Sequence, residues 1–436
     1  SEGPLNPVQA SIQRMIEGSF WSGVKNKIFI LSDDETLLQF PTTEAWKFLC
    51  RRFGKPANTD PIIKRIEEQM QAGMVAKKDG DAAIKAIRGV AISAVLDHIK
   101  YRNQRDRIEW RVDMFNQSAR MELAEDKARL ILTHKPLPDF GTPDPDIVAD
   151  FHEHFQDFEA VLQFIVACRF VLDRKKAFLW LLADSDFGKG FLLGILRDLG
   201  LVVEMSVKEI ENIFEGKPAG RSPEDFKRAM VLAVDEFKAV KSELKQLQSE
   251  MDLAPKHALT SRVEIFAKLF LSAESVESLV TDHGVEDQFA NRMNLLNPEG
   301  VLTERQMYKQ DSARYYRAIR AHTARRINKL VEAYQSEGRE QSERSAAAFL
   351  EQFMDHHGLD QHFQRFSESL PDVAAEVVDW CRQQHELTGW IERDAKGEFL
   401  RNAARAVDDC LNTHYSHSQV GSFRKRKVEI MRHMSV

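Results

Sequence analysis

The sequence predicts an α/β core that lies between a mixed α+β N-terminal part and a mainly helical C-terminal part. Three short apolar runs predict the strands of the core: Ala177–Ala183, Ala229–Val234 and Ala267–Ser272. Each run is too short for a buried helix, and helical patterns separate them, so a parallel sheet is favoured. From Thr303 onward the pattern is almost wholly helical, with a break near Gln335–Glu343.

Length and composition narrow the class of protein. The chain has 436 residues, and a domain typically has about 150, so we expect two or three domains. The 43% of hydrophobic residues and 29% of charged residues exclude a wholly disordered chain. The net charge of −6 excludes binding to nucleic acid through bulk positive charge, although a local basic channel stays open.

A proline-rich segment, Lys135–Pro145, divides the chain, because four prolines cannot continue a helix or a central strand. Before it, the sequence predicts a hairpin over Lys27–Phe40, a helical stretch over Pro61–Leu96, and strands at Ile108–Phe115 and Ala128–Thr133. After it, Ile147–Leu172 is amphipathic and predicts a helical stretch. The expected domains are residues 1–135 (α+β), 136–146 (linker), 147–300 (α/β core) and 301–436 (helical, with a winged helix as one option near 372–411).

Cysteine usage and hydropathy point to a reducing, aqueous compartment. The four cysteines lie far apart, without a CxxC pair, so neither a disulfide framework nor a structural zinc site is expected. The longest apolar stretches fall short of the ~20 residues of a membrane helix, so no membrane partner is expected. Because the chain begins at Ser1 without a methionine, we expect it to be part of a longer protein.

A loop that could bind phosphate follows the first core strand. Phe178–Leu182 leads into ADSDFGKG and then into the helical run Phe191–Leu199. In a phosphate loop, GxxxxGK[ST], backbone N–H groups and the helix N-terminus bind phosphate, and the lysine reaches the β/γ oxygens. Two positions depart from this pattern, so a chance match stays open for the loop taken alone. The candidate nucleotide-binding residues are Ala183, Asp184, Ser185, Asp186, Phe187, Gly188, Lys189 and Gly190.

A second motif fits the same chemistry. The strand Met230–Val234 ends in Asp235 and Glu236, an arrangement in which the aspartate would hold Mg²⁺ and the glutamate would polarise the attacking water. The alternative is an ordinary buried strand that leads into an exposed acidic turn. We expect the third strand, Ala267–Ser272, to lie between the other two and to carry a sensor residue at its tip. Arg292 follows as a candidate arginine finger for a neighbouring subunit.

This order of elements resembles the superfamily-3 helicases, and more closely the phage and poxvirus-type primase-helicases. The resemblance covers Phe178–Leu296 and extends weakly to residues 5–135, which look like the pre-helicase, collar-like region of that family. It implies an α/β P-loop AAA+-like fold, a hexameric ring, ATP and Mg²⁺ as cofactors, and travel along single-stranded DNA. It also implies a primase-polymerase domain N-terminal to this chain and, for a phage-encoded protein, the cytoplasm of a bacterial host.

The resemblance assigns roles to individual residues. Lys189 matches the Walker A lysine, Asp235 and Glu236 match the Walker B acids, and Arg292 matches the arginine finger. Lys256-His257, between the second and third strands, match the loop that lines the pore and grips the DNA backbone.

Three positions depart from the family pattern. Ala183 occupies the position of the first glycine, Gly190 that of the Ser or Thr that ligates Mg²⁺, and Glu274 that of the sensor asparagine. Two functions therefore stay open: an ATP-dependent DNA helicase, and a ring-forming DNA-binding or replication-initiation protein with a weakened or lost ATPase. A small-molecule kinase is disfavoured, because no lid or acceptor site is visible.

Basic residues are concentrated along one predicted helix, Ser312–Tyr334. Such a helix could follow a phosphate backbone. It could equally be a solvated helix whose charges pair with acids elsewhere. Its basic residues are Arg314, Arg317, Arg320, Arg325, Arg326 and Lys329.

Overall fold

The computed structural model describes residues 7–54, 61–218, 220–235, 244, 246–255, 258–273, 292–388, 396–415 and 423–434. The chain divides into two compact units. The first consists of Ser1–Lys135, Glu215–Lys227 and Glu250–Glu264, and the second of Pro136–Phe214, Arg228–Ser249 and Ile265–Val436. The domain boundaries expected from the sequence remain predictions. Within the described ranges, no helix is both long enough and apolar enough to cross a bilayer.

The first unit begins with a small antiparallel sheet and four helices. The sheet has the order β1 (Ser19–Ser22), β2 (Lys27–Leu31), β3 (Leu37–Phe40), and antiparallel pairing of β2 with β3 confirms the hairpin predicted there. The helices are α1 (Pro7–Glu17), α2 (Thr42–Phe53), α3 (Pro61–Gln71) and α4 (Lys77–Arg102). The apolar faces of α1, α2 and α4 meet the sheet in a core of Met15, Ile28, Ile30, Ala45, Leu49, Val95 and Ile99.

A second sheet in this unit takes in a hairpin from much later in the chain. The early strands are β4 (Arg107–Asp113), β5 (Arg120–Leu123) and β6 (Ala128–Thr133), and the later hairpin consists of β10 (Glu250–Leu253) and β11 (Thr260–Glu264). The strand order is β10-β11-β4-β6-β5, with β11 parallel to β4. The strands predicted near Ile108 and Ala128 are confirmed.

The second unit is built on a parallel sheet of five strands. These are β7 (Phe178–Leu182), β8 (Val202–Glu204), β9 (Val231–Val234), β12 (Ala267–Ser272) and β13 (Met293–Leu296), in the order β13-β7-β12-β9-β8. Every residue of β7, β9, β12 and β13 is buried, as expected for strands covered on both faces. The structure places β12 between β7 and β9, as the sequence predicts.

Helices surround this sheet. They are α5 (Pro145–His154), α6 (Phe158–Phe170), α7 (Lys189–Asp198), α8 (Val207–Phe214), α9 (Gln306–Gln310), α10 (Ser312–Glu337) and α11 (Arg339–His357). The stretch predicted to be helical, Ile147–Leu172, is helical in two parts: the chain leaves helical geometry at Phe155, whose ring is buried, and starts again at Phe158. The predicted break near Gln335–Glu343 lies at Gly338, which has φ of 80°.

The described C-terminal residues are helical. They form α12 (Leu359–Thr388), α13 (Lys396–His414) and α14 (Lys427–Met434). These helices share a core of Leu370, Val373, Ala374, Val377, Cys381, Ala406, Val407, Cys410, Leu411, Phe423 and Ile430.

Candidate nucleotide-binding site

The predicted phosphate loop connects β7 to α7 in the second unit. The five apolar residues of β7 are all buried, and the strand ends at Leu182. The chain then makes a single 3₁₀ turn, Ser185–Phe187, and enters α7 at Lys189. The sequence thus positions the loop at the carboxyl edge of a parallel sheet, where open α/β sheets bind their ligands.

Gly188 is required at the start of α7 for two separate reasons. Its φ is 107°, which non-glycine residues rarely adopt. A Cβ added at this position would also lie 2.8 Å from Cδ2 of Leu302. Since glycine has no side chain to cap the helix, the first N–H groups of α7 are left for an anion.

His154, the last residue of α5, contacts the loop at Phe187. The imidazole stacks on Phe187 with ring centroids 4.6 Å apart, and its Nε2 is 2.7 Å from the Phe187 carbonyl oxygen. Because a carbonyl oxygen only accepts, Nε2 donates. Burial lowers the pKa of His154 and favours the neutral ring, whereas the hydrogen bond to Phe187 acts in the opposite direction. Sequence reasoning missed this residue, because it lies 33 positions before Phe187 and belongs to no motif.

Lys189 is folded back onto its own loop. Its Nζ donates to the carbonyl oxygens of Asp184, at 2.7 Å, and of Ala183. Burial lowers its pKa, and the negative charges of Asp184, Asp235 and Asp186 offset part of that effect. The ammonium group therefore lies within the loop, where phosphate oxygens could take the place of the two carbonyls.

Asp235 lies at the same edge of the sheet. It directly follows β9 and is exposed. Its negative charge acts to raise the pKa of Lys189. Between the two strands, Ser272 at the end of β12 accepts hydrogen bonds from Trp180 Nε1 at 2.8 Å and, through its carbonyl oxygen, from the Ala183 N–H at 3.1 Å. The structure therefore brings the loop and Asp235 together. Glu236 and Glu274 lie outside the described residues.

Arg292 lies at the opposite edge of this sheet. It immediately precedes β13, which runs parallel to β7 with Met293 opposite Phe178. Arg292 is consequently level with the beginning of β7, whereas Lys189 follows its end. Within one chain, Arg292 therefore lies at the amino ends of the parallel strands and the predicted phosphate loop at their carboxyl ends.

The two departures from the phosphate-loop pattern differ in their surroundings. Ala183 is 1% exposed and contributes to the core. Gly190 has open space, since a Cβ added there would meet nothing within 4 Å. The missing hydroxyl at position 190 is thus not dictated by packing.

The predicted DNA-binding pair, Lys256 and His257, lies outside the described residues. The strands on either side, β10 and β11, form an antiparallel hairpin in the first unit, with Leu253 opposite Ser261. The pair is accordingly carried on the connection between two paired strands.

Most of the basic residues of α10 have acidic partners. Arg314 pairs with Asp144 at 2.5 Å, and Arg326 with Glu159 at 2.6 Å. Arg320 and Arg325 lie within 4.0 Å of Asp198 and Asp139, respectively. Four of the six cations therefore lie within ion-pair distance of an acid in the same unit, which favours the solvated-helix interpretation over a DNA-binding stripe.

Comparison with known proteins gives distant structural neighbours. No family model matches the chain, and no curated protein matches it. An apo structure of the NrS-1 C-terminal region aligns over 98% of this chain and 94% of its own, at 12% identity and a TM-score of 0.43. A structure of SCCmec type IV Cch, an active helicase, aligns over 96% and 88% at 11% identity and a TM-score of 0.30. JCV helicase aligns over 48% and 72% at 12% identity and a TM-score of 0.24. At such identities and TM-scores these likenesses assign no activity to this chain.

Proposed function

We propose that this chain is the ATP-dependent DNA helicase module of a phage-like replication protein. It would assemble as an AAA+-like ring and hydrolyse ATP to move along single-stranded DNA. One observation supports the proposal: Asp235 follows a strand at the same sheet edge as α7, a helix that begins after Gly188 and whose Lys189 bonds to the carbonyl oxygens of the preceding loop. Nucleotide phosphates need this combination of N–H groups, a cation and a carboxylate.

Each residue has a stated task in this proposal. The N–H groups of α7 bind the phosphates, and Lys189 exchanges the carbonyls of Ala183 and Asp184 for β/γ oxygens. The donor set suits Mg²⁺, since one carboxylate, Asp235, would share the ion with phosphate oxygens and water. When bound, Mg²⁺ neutralises charge that develops on the phosphates. Glu236 orients the attacking water, Arg292 serves the site of a neighbouring subunit, and Lys256 and His257 contact DNA.

The test compares ATP hydrolysis with and without single-stranded DNA, together with strand displacement on a forked duplex. Lys189→Ala and Glu236→Gln should each slow hydrolysis about a hundredfold or more, the loss typical of removing a group that stabilises transition-state charge. The matched control is Lys208→Ala, which removes an exposed lysine from α8. Equal hydrolysis rates in the wild type and both site variants would end the enzyme proposal.

A ring-forming DNA-binding or replication-initiation protein with weakened ATPase is the second candidate. It is favoured by the absence of a hydroxyl at Gly190 and by the bonds of Lys189 to its own loop carbonyls. The substitution Gly190→Ser separates the two, because the site has room for the side chain. A helicase limited by the missing Mg²⁺ ligand should hydrolyse ATP faster, whereas a binding-only ring should bind labelled ATP without hydrolysis in either form.

A further inference from the structure

Three side chains from separate helices of the second unit converge away from the phosphate loop. His152 lies on α5, Glu159 on α6 and His322 on α10. The Oε1 atom of Glu159 is 2.6 Å from Nε2 of His322 and 3.2 Å from Nε2 of His152. The two imidazole rings meet edge to face, with centroids 5.2 Å apart. One possible ligand atom from each residue thus lies within 4.8 Å of the other two.

A neighbour on α10, Arg326, orients the carboxylate of Glu159. Arg326 Nε donates to Oε2 at 2.6 Å and leaves Oε1 facing the histidines. An outer partner of this kind typically orients a carboxylate ligand.

The Nε2 atom of His152 is a buried polar atom whose hydrogen bonding is not satisfied. It is sealed from solvent, yet it makes no hydrogen bond of good geometry with any described residue. A buried polar atom in this condition is costly unless something binds it. The three side chains as a whole remain 19% to 35% exposed.

We propose that His152, Glu159 and His322 bind a divalent transition-metal ion, best matched by Zn²⁺, with water as the fourth ligand. Two imidazoles and one carboxylate suit a tetrahedral zinc ion, whose ligand atoms lie roughly 3.3 Å apart at bond lengths of about 2.0–2.1 Å. The His152–Glu159 pair has this spacing already, and the His322–Glu159 pair needs to open slightly. The ion would join α5, α6 and α10, and α5 carries the His154 that supports the phosphate loop.

The test adds Zn²⁺ alone to the full chain after treatment with a chelator and desalting. Zinc should bind and raise the melting temperature of the wild type. His152→Gln and His322→Gln should each weaken binding by at least about tenfold and reduce the shift. The control, His356→Gln, removes an exposed helical histidine and should behave as the wild type.

Two results would overturn the proposal. The first is a wild type whose melting temperature Zn²⁺ leaves unchanged, and the second is a double His152→Gln, His322→Gln variant that retains the shift. If the variants fold poorly, Co²⁺ added to the wild type decides the matter. Visible absorption bands of tetrahedral cobalt support the site, and their absence contradicts it.

Discussion

The two glycines at the start of α7, Gly188 and Gly190, illustrate how single residues shape this candidate site. Gly188 combines a left-handed backbone with a close approach of Leu302, whereas Gly190 has neither constraint. Sequence matching alone treats both as parts of one motif. Only the first is fixed by the fold, so the second is the position at which chemistry can be altered without structural damage.

Substituting alanine at each glycine should separate these roles. Gly188→Ala should lower the free energy of unfolding by about 1–3 kcal/mol, the usual cost of a non-glycine residue held in a left-handed conformation. Gly190→Ala should be neutral or stabilising by up to about 1 kcal/mol, because alanine favours a helix more than glycine does. Urea unfolding monitored by circular dichroism measures both. Equal stabilities of the two variants would contradict the backbone argument.

Glu109 in the first unit predicts a dependence of stability on pH. The carboxylate is 1% exposed; burial opposes its ionisation, but hydrogen bonds from Lys127 and Arg111 and the charge of Arg129 lower its pKa to about 2. A lowered folded-state pKa adds stability above the unfolded value, 4.5, and this stability is lost as the pH falls towards 2.

The variant Glu109→Gln tests this linkage. At pH 7 it should lose about 1–3 kcal/mol of unfolding free energy, because the hydrogen bonds to a charged acceptor are weakened. The difference from the wild type should shrink at pH 3.5, where part of the benefit has already gone. Glu340→Gln, an exposed residue of α11, is the control. If the difference in unfolding free energy between Glu109→Gln and the wild type does not change with pH, Glu109 does not have a lowered pKa in the folded protein.

At the scale of elements, local patterns predicted much of the fold. The runs of the core strands and the hairpin of β2 and β3 follow from burial and alternation, which a single sequence shows. The helical stretch over Ile147–Leu172 is confirmed in two parts, but the interruption at Phe155 was not predicted, because the amphipathic period continues across this buried residue. The placement of β10 and β11 in a sheet of the first unit involves partners more than a hundred residues away, as in Ser261 opposite Ile108, which no local pattern records.

The connection between β10 and β11 carries the proposed DNA contact. Lys256→Ala combined with His257→Ala should lower the affinity for single-stranded DNA and reduce the salt dependence of binding by about one phosphate contact. Unwinding should be lost, while ATP turnover without DNA is kept. Fluorescence anisotropy at several salt concentrations measures the binding.

Arg314→Gln is the matched control for this experiment. It also removes one basic charge, but Asp144 already neutralises that charge in the folded chain. DNA affinity of the double variant equal to that of Arg314→Gln would remove Lys256 and His257 from the interface.

At the scale of the whole molecule, the residues proposed to act together lie far apart in the sequence. Lys189 and Asp235 were predictable as a pair, because each belongs to a motif with a known order. His152, Glu159 and His322 were not, since 163 residues separate Glu159 from His322 and cysteine-based zinc spacing is absent. The net charge of −6 likewise concealed the pairing of the α10 arginines, which depends on where the acids lie.

The position of Arg292 predicts that catalysis requires more than one copy of the chain. Because Arg292 and Lys189 lie at opposite edges of the same sheet, a finger role is open to Arg292 only across a boundary between copies. Rings made only of Lys189→Ala subunits, or only of Arg292→Ala subunits, should not hydrolyse ATP. In rings made from equal amounts of both variants, a boundary is complete only where the Arg292→Ala subunit supplies Lys189 and its neighbour, the Lys189→Ala subunit, supplies Arg292. Random mixing produces this combination at about a quarter of the boundaries, so about a quarter of the ATPase activity should return. Native mass spectrometry verifies that mixed rings form, and two wild-type preparations mixed in the same way provide the reference rate. Mixed rings with no recovered hydrolysis would show that Arg292 does not complete a neighbouring site.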